Sequence, residues 1–308
     1  MIVRQTPNAF KILFTLRGSV IPHIYPQVLL ITLLSALISA VQHGIPSSFE
    51  SYSTAPFTLL GIALSLFLGF RNNASYQRWW EARGLWGQLV FDARSLTRQL
   101  LSFIDEETEI GRDTQRCMIH LTIAFTHALR HRLRGTAPWQ DVERFVEPEY
   151  HISMRQAGNL PEYLLRLMGK KLGYSRRHQL SSDLMIQNMD ERLTSMTIVL
   201  AACERIQNTP LPFAYILLVH RTTYLYCFML PFGLATSLGW VTPLVCGVIA
   251  YTFFGLDALS EEITDPFGVA PNHLPLTTLS RTIEINLLEA LGETDLPSDI
   301  APQDGCLQ

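Results

Sequence analysis

Charge is what this sequence lacks most. Only 17% of its 308 residues are Asp, Glu, Lys or Arg, against roughly 25% in soluble domains. The shortfall comes in blocks: residues 18–49, 51–70 and 222–256 carry none of the four. Such blocks argue against an ordinary soluble enzyme and for a membrane protein with a sizeable soluble part. With 48% hydrophobic residues, disorder is excluded over most of the length. A net charge of −3 leaves no strong basic face, so no nucleic-acid partner is expected. Cysteine is sparse as well. Cys117, Cys203, Cys227, Cys246 and Cys306 are odd in number and form no CxxC, which favours free thiols over a disulfide framework or a zinc site. The sequence has no GxGxxG, no P-loop, no GxSxG and no HExxH. No enzyme, cofactor or metal is expected.

What is present is a set of apolar spans. The first covers about residues 25–41 and the second about 56–72, the latter rich in small residues (Gly61, Ala63, Ser65, Gly69) that let helices approach closely in lipid. The third charge-free block is 35 residues long. As one helix it would measure about 52 Å, against a hydrocarbon core of about 30 Å. Pro231, Gly233, Gly239 and Pro243 lie near its middle, so it reads as a hairpin with a turn around 233–242 and spans at about 212–232 and 240–258. Arg221 then falls inside a span and should face protein or water. Lys and Arg number three in the N-terminal segment and nineteen in 71–212, with none in 42–55 or 233–242. That bias places both termini and the long middle section on the cytoplasmic side of the cell (inner) membrane.

The middle section reads as helical. Apolar positions recur at three and four in 79–103, again at 117, 118, 121, 124, 125, 128 and 129, and again at 185, 189, 193, 196, 199, 200, 203 and 206. Each stripe needs a partner, so the expected fold is all-α, a cytoplasmic helical bundle continuous with four membrane helices. The region 1–290 is read as a single domain, its cytoplasmic part being about 73–211 and 259–290. Residues 291–308, polar with two prolines, read as a flexible tail. His127 and His131 stand four apart on a helix without an acidic or cysteine ligand at useful spacing, so a solvated or packed face is expected there. The acids at 105, 106, 107 and 109 read as a solvated turn, because the spacing of an EF-hand loop is missing.

Two features are less bland. Ile62, Leu66 and Phe70 form a stripe on one face of the second span. Such a stripe serves helix packing, or, in a symmetric oligomer around an axial pore, forms hydrophobic rings that gate by dewetting. Glu261, Glu262 and Asp265 leave the last span together, just before Pro266-Phe267-Gly268. They mark a helix end, or a place that attracts cations or a ligand.

At these residues the sequence resembles the bestrophin family of ion channels, and within it the bacterial branch. Arg17-Gly18-Ser19 precedes the first span, Leu68-Gly69-Phe70 closes the neck-like helix, Arg78-Trp79-Trp80-Glu81 follows it, and Asp265-Pro266-Phe267-Gly268 follows the fourth span. The resemblance implies a homopentamer of all-helical subunits in membrane lipid around one axial pore, with Ile62, Leu66 and Phe70 lining its neck. It also implies a second, cytoplasmic constriction, for which Leu180 is the candidate. Animal members carry an acidic, calcium-binding run after the Pro-Phe-Gly. Val269-Ala270-Pro271-Asn272-His273-Leu274 supplies no carboxylate, so calcium gating is not expected.

Selectivity is weighed on two groups. Ten of the 52 residues from Asp257 onward are acidic against one arginine, a surface that would concentrate cations. Arg71, just beyond Phe70, would repel them if it lined the lumen, or would point outward to a carboxylate or lipid phosphate. With the bacterial branch resembling a sodium-favouring channel, the expected function is a pore for monovalent cations such as sodium. The alternatives are an anion (chloride) channel like the animal members, and a non-conducting structural or signalling membrane protein.

Overall fold

The computed structural model describes residues 1–2, 15–16, 18–44, 53–302 and 305–307. Positions 3–14, Arg17, positions 45–52 and part of the C-terminal stretch lie outside them. Among the described residues the fold is helical, with no β-strand beyond one antiparallel bridge between Ile2 and Cys306. The eight long helices described are α1 (Ile21–Gly44), α2 (Ala55–Phe103), α3 (Glu109–Arg134), α4 (Leu160–Arg177), α5 (Asp183–Asn208), α6 (Phe213–Leu238), α7 (Thr242–Thr264) and α8 (Leu276–Ala290). They contribute to two compact units, one of Arg4–Trp79 with Pro210–Pro266, the other of Met1–Val3, Trp80–Thr209 and Phe267–Gln308.

Three helical stretches are long and apolar enough to cross a membrane: Ile21–Gly44, Ala55–Phe103, of which the first unit holds the part up to Trp79, and Phe213–Thr264. The third consists of α6 and α7, separated by a short turn at Gly239–Val241. The core is built from Ile24, Ile31, Leu64, Leu68, Val219, Tyr226, Leu230, Ala250 and Phe254. The outer faces are apolar too. Leu29, Leu33, Leu37, Leu218, Leu225, Leu244 and Val248 are all more than half exposed, a surface that water does not tolerate over such an area but lipid does.

The hairpin turn is later and tighter than the sequence suggests. Pro231 sits inside α6, and the chain reverses only at Gly239, whose φ of 52° favours glycine. Gly233 has a packing role instead. A Cβ there would meet the Phe57 ring at 2.5–2.7 Å, so its absence lets α6 approach α2.

In the second unit α3 is the centre, packed by α4, α5 and α8. The sequence shows one apolar stripe on α3, yet every residue from Leu121 to Arg130 is buried. Its polar positions are made tolerable by bonds within the helix, as where Thr122 Oγ1 donates to Met118 O at 2.9 Å. The stripe on α5 behaves as the periodicity indicates, with Met189, Leu193, Met196, Val199, Leu200, Cys203 and Ile206 buried. Side chains of Thr108, Asn159 and Ser182 cap α3, α4 and α5, each accepting a backbone N–H three residues on. Beyond Ala290 the described chain forms no helix, and Glu293 Oε1 lies 3.3 Å from His120 Nε2.

The acidic turn before α3 has a structural reason. Asp105 N donates to Leu180 O at 2.9 Å, and Gln115 Nε2 donates to Ile104 O at 2.9 Å. Gly111 lies against this turn so closely that a Cβ would fall on the Asp105 carbonyl. Gly111→Ala is therefore expected to cost about 2 kcal/mol or more, because backbone must move. Loss of the Thr108 cap costs about 1 kcal/mol. Thermal melts of Gly111→Ala and Thr108→Ala should rank in that order.

Candidate functional site

The membrane part of α2 has two faces. Gly61, Leu64, Leu68, Arg71 and Ser75 are buried, at spacings of three and four. On the other side Ile62, Leu66 and Phe70 are 64%, 57% and 58% exposed. They rise about 12 Å along the helix. The stripe expected from the sequence is thus one continuous apolar surface, and nothing among the described residues covers it.

Arg71 lies on the buried face. It is 2% exposed and pairs with Asp257 of α7. The second oxygen of Asp257 lies 2.7 Å from His220 Nδ1 of α6. The carboxylate that Arg71 meets therefore belongs to its own chain. Asp257 and His220 are functional candidates that the sequence reading missed. Asp257 is one residue past the third charge-free block, and an acid that close to a long apolar run, still inside its helix, is the available signal. Arg221 is exposed on α6.

Below Arg71 the seam between α2 and α7 stays polar. Asn72 Nδ2 donates to Leu256 O at 3.3 Å, Ser75 Oγ lies 2.9 Å from Ser260 Oγ and 2.7 Å from Thr264 Oγ1, and Arg78 Nε donates to Thr264 O at 3.3 Å. Glu261 and Asp265 are exposed and Glu262 is half-buried at the end of α7. Three carboxylates at a helix C-terminus repel its dipole, so they favour nearby cations or water.

Leu180 belongs to the other unit and is 6% exposed. Its N–H donates to Ser175 O at 3.0 Å, its carbonyl accepts from Asp105, and the preceding Gln179 has a φ of 55°. The Phe267-Gly268 turn is also held firmly. Phe267 is 1% exposed, and Arg134 donates to the carbonyls of Phe267 and Gly268 at 3.2 and 3.4 Å and to Thr277 Oγ1 at 2.6 Å.

His127 and His131 go to different carboxylates. His131 Nε2 lies 2.9 Å from Asp141 Oδ2, and His127 Nε2 lies 2.9 Å from Glu284 Oε2. Glu284 also accepts from Arg144 at 2.7 Å and is paired with Arg281. Burial pushes its carboxyl up, but the His127 bond and the surrounding positive charges outweigh burial and hold it below the usual range. Burial pushes the Cys117 thiol up to about 11, which disfavours the thiolate at neutral pH. Among the described residues no three His, Cys, Asp or Glu side chains gather as metal ligands do.

Known proteins of similar sequence and structure give the chain its family. The model of a family described as bacterial/fungal bestrophin protein matches residues 1–289. A Mesorhizobium japonicum protein named a voltage-dependent anion channel-forming protein is 45% identical over 293 residues, covering 95% of this chain and 93% of that one. An Escherichia coli protein of the same kind is 39% identical over 303 residues, 98% of each chain. The crystal structure of a bacterial bestrophin homologue from Klebsiella pneumoniae, 40% identical, superimposes with a TM-score of 0.82 over 88% of this chain and 99% of that one. The chain belongs to the bacterial/fungal bestrophin family.

Proposed function

We propose that this chain is the subunit of an ion channel that passes monovalent anions through a pore shared by five copies in the inner membrane. The observation that carries the pore reading is the uncovered Ile62–Leu66–Phe70 surface on a helix whose opposite face is locked into its own subunit. Around an axis, such surfaces become rings that exclude continuous water until the bore widens. The α6–α7 hairpin supplies two of the four spans, and the cytoplasmic side is the one rich in Lys and Arg. Leu180 is the proposed second narrowing; it lies in a turn held through two main-chain bonds.

The sodium expectation gives way to its anion alternative for one reason: relatives at 45% and 39% identity are named anion channel-forming proteins. The cation reading keeps one observation in its favour, the exposed Glu261 and Asp265. Arg71 favours neither, since its charge is spent on Asp257.

Purified protein in a planar bilayer under an asymmetric NaCl gradient tests the choice. The current is expected to reverse near the chloride equilibrium potential. Reversal near the sodium potential would restore the cation reading and direct mutagenesis to Glu261, Glu262 and Asp265. Absence of any current, with a monomer in mild detergent, would favour a structural or signalling role.

A further inference from the structure

We propose that Arg71 and Asp257 are the positioning residues of the neck: their buried pair sets the rotation of α2 about its own axis, and so decides that Ile62, Leu66 and Phe70 rather than Leu64 and Leu68 form its free face. The proposal rests on the neck reading above and goes on to say what orients it.

Apolar packing alone fixes the rotation of a membrane helix only weakly. Leu64 and Leu68 sit in the core of the membrane unit, but contacts of this kind are non-directional. In lipid they lack even the hydrophobic drive, because acyl chains are as apolar as leucine. The close fits of Phe57 against Gly233 and of Gly61 against Tyr226 favour the present face by shape, but none of them carries a charge that must keep a partner. The ionic pair is different in kind. Arg71 follows Phe70 directly, is 2% exposed, and meets a carboxylate that is itself buried. Rotating α2 to bury Phe70 would strip Arg71 of that partner in a low-dielectric setting, where an uncompensated charge is costly. Asp257 cannot follow the rotation freely, because its other oxygen is engaged by His220 from α6. One carboxylate thus ties α2, α6 and α7 together at the foot of the stripe. The Ser75 contacts to Ser260 and Thr264 continue the same seam but are neutral, and neutral hydrogen bonds are roughly half as strong as charge-assisted ones.

The test reads rotation directly. In a background with Cys117 and Cys306 replaced by serine, Phe70→Cys or Leu68→Cys is introduced and its modification rate by a charged thiosulfonate reagent is measured in the reconstituted channel. With Arg71 and Asp257 intact, the cysteine at 70 should react and the one at 68 should not. The double variant Arg71→Leu with Asp257→Leu replaces the pair by apolar side chains, which commonly preserves stability. It is expected to assemble with the same detergent-solution mass and melting behaviour, yet to speed modification at 68 and slow it at 70 by about tenfold or more. The exchanged pair, Arg71→Asp with Asp257→Arg, should restore the original pattern. An unchanged pattern in an assembled double-leucine variant would overturn the proposal and assign the rotation to the neutral seam. If the double variant does not assemble, the exchanged pair decides, because a purely steric role for Arg71 and Asp257 would not be rescued by swapping them. The neck reading fails separately: modification at 70 would then leave the current unaltered, while the change at 68 still reports rotation.

Discussion

Replacing Ile62, Leu66 and Phe70 together by alanine is expected to raise the current at equal protein density by about tenfold or more. A narrow apolar ring cannot replace the hydration of an ion, and it holds no continuous water when its bore is only a few ångströms wide. Truncating an isoleucine, a leucine and a phenylalanine from every subunit widens the bore and removes most of its apolar lining. The structure adds a reason to expect assembled protein: all three side chains are more than half exposed in the single subunit, so their truncation leaves no cavity in its core. Leu29→Ala, Leu33→Ala and Leu37→Ala on α1 provide the control. These residues are about as exposed, and alanine there should leave open probability and conductance unchanged. Bilayer recordings of both sets decide the matter. Wild-type behaviour of the triple variant would remove the neck from this stripe.

Glu284→Leu is expected to be the most damaging single substitution in the second unit, at about 3 kcal/mol. The carboxylate is 1% exposed and serves His127, Arg144 and Arg281 at once. Phe145 closes the group, stacked on the His127 ring with Arg144 4.6 Å over its own face. Arg144 and Arg281 keep partial access to water, with side chains 44% and 25% exposed, so they can be rehydrated after the loss. His127 cannot. Its Nδ1 has no hydrogen-bond partner among the described residues, and leucine at 284 would leave both ring nitrogens buried without one. The melting temperature in detergent should fall by about 6–12 °C. The effect also has a pH signature. Because the folded-state pKa of Glu284 is lowered from its ordinary 4.5, its contribution is complete above that value and is lost as the pH falls through the folded-state pKa. The gap between wild type and Glu284→Leu should therefore be constant from neutral pH down to about 5 and close below 4.5. A gap that is widest in acid would contradict the assignment of charge.

Where the sequence speaks clearly, it does so through local periodicity. The apolar blocks become α1, the first part of α2, and the α6–α7 pair, and the spacing on α5 names its buried residues almost one for one. The Ile62–Leu66–Phe70 stripe is of this kind, since exposure at 62, 66 and 70 and burial at 64, 68 and 71 follow from one helical repeat. The turn was harder. Pro231 and Gly233 look like turn residues, but glycine next to a ring is also what close helix packing needs, and a single sequence does not separate the two uses. On α3 a single stripe was legible while burial proved to be nearly all round, because several helices cover it and its threonines satisfy themselves within the helix.

The sequence by itself determined that the chain is helical, that it carries apolar stretches long enough for a membrane, and which face of α2 is apolar without interruption. Each of these depends on residues within a few turns of one another. Only the tertiary structure decided where the charges go. Arg71 meets Asp257 across 186 positions and His127 meets Glu284 across 157, and no repeat or spacing links such pairs. They are chosen by burial: a charge removed from water must find its opposite nearby, and which opposite is nearby exists only once the helices have packed.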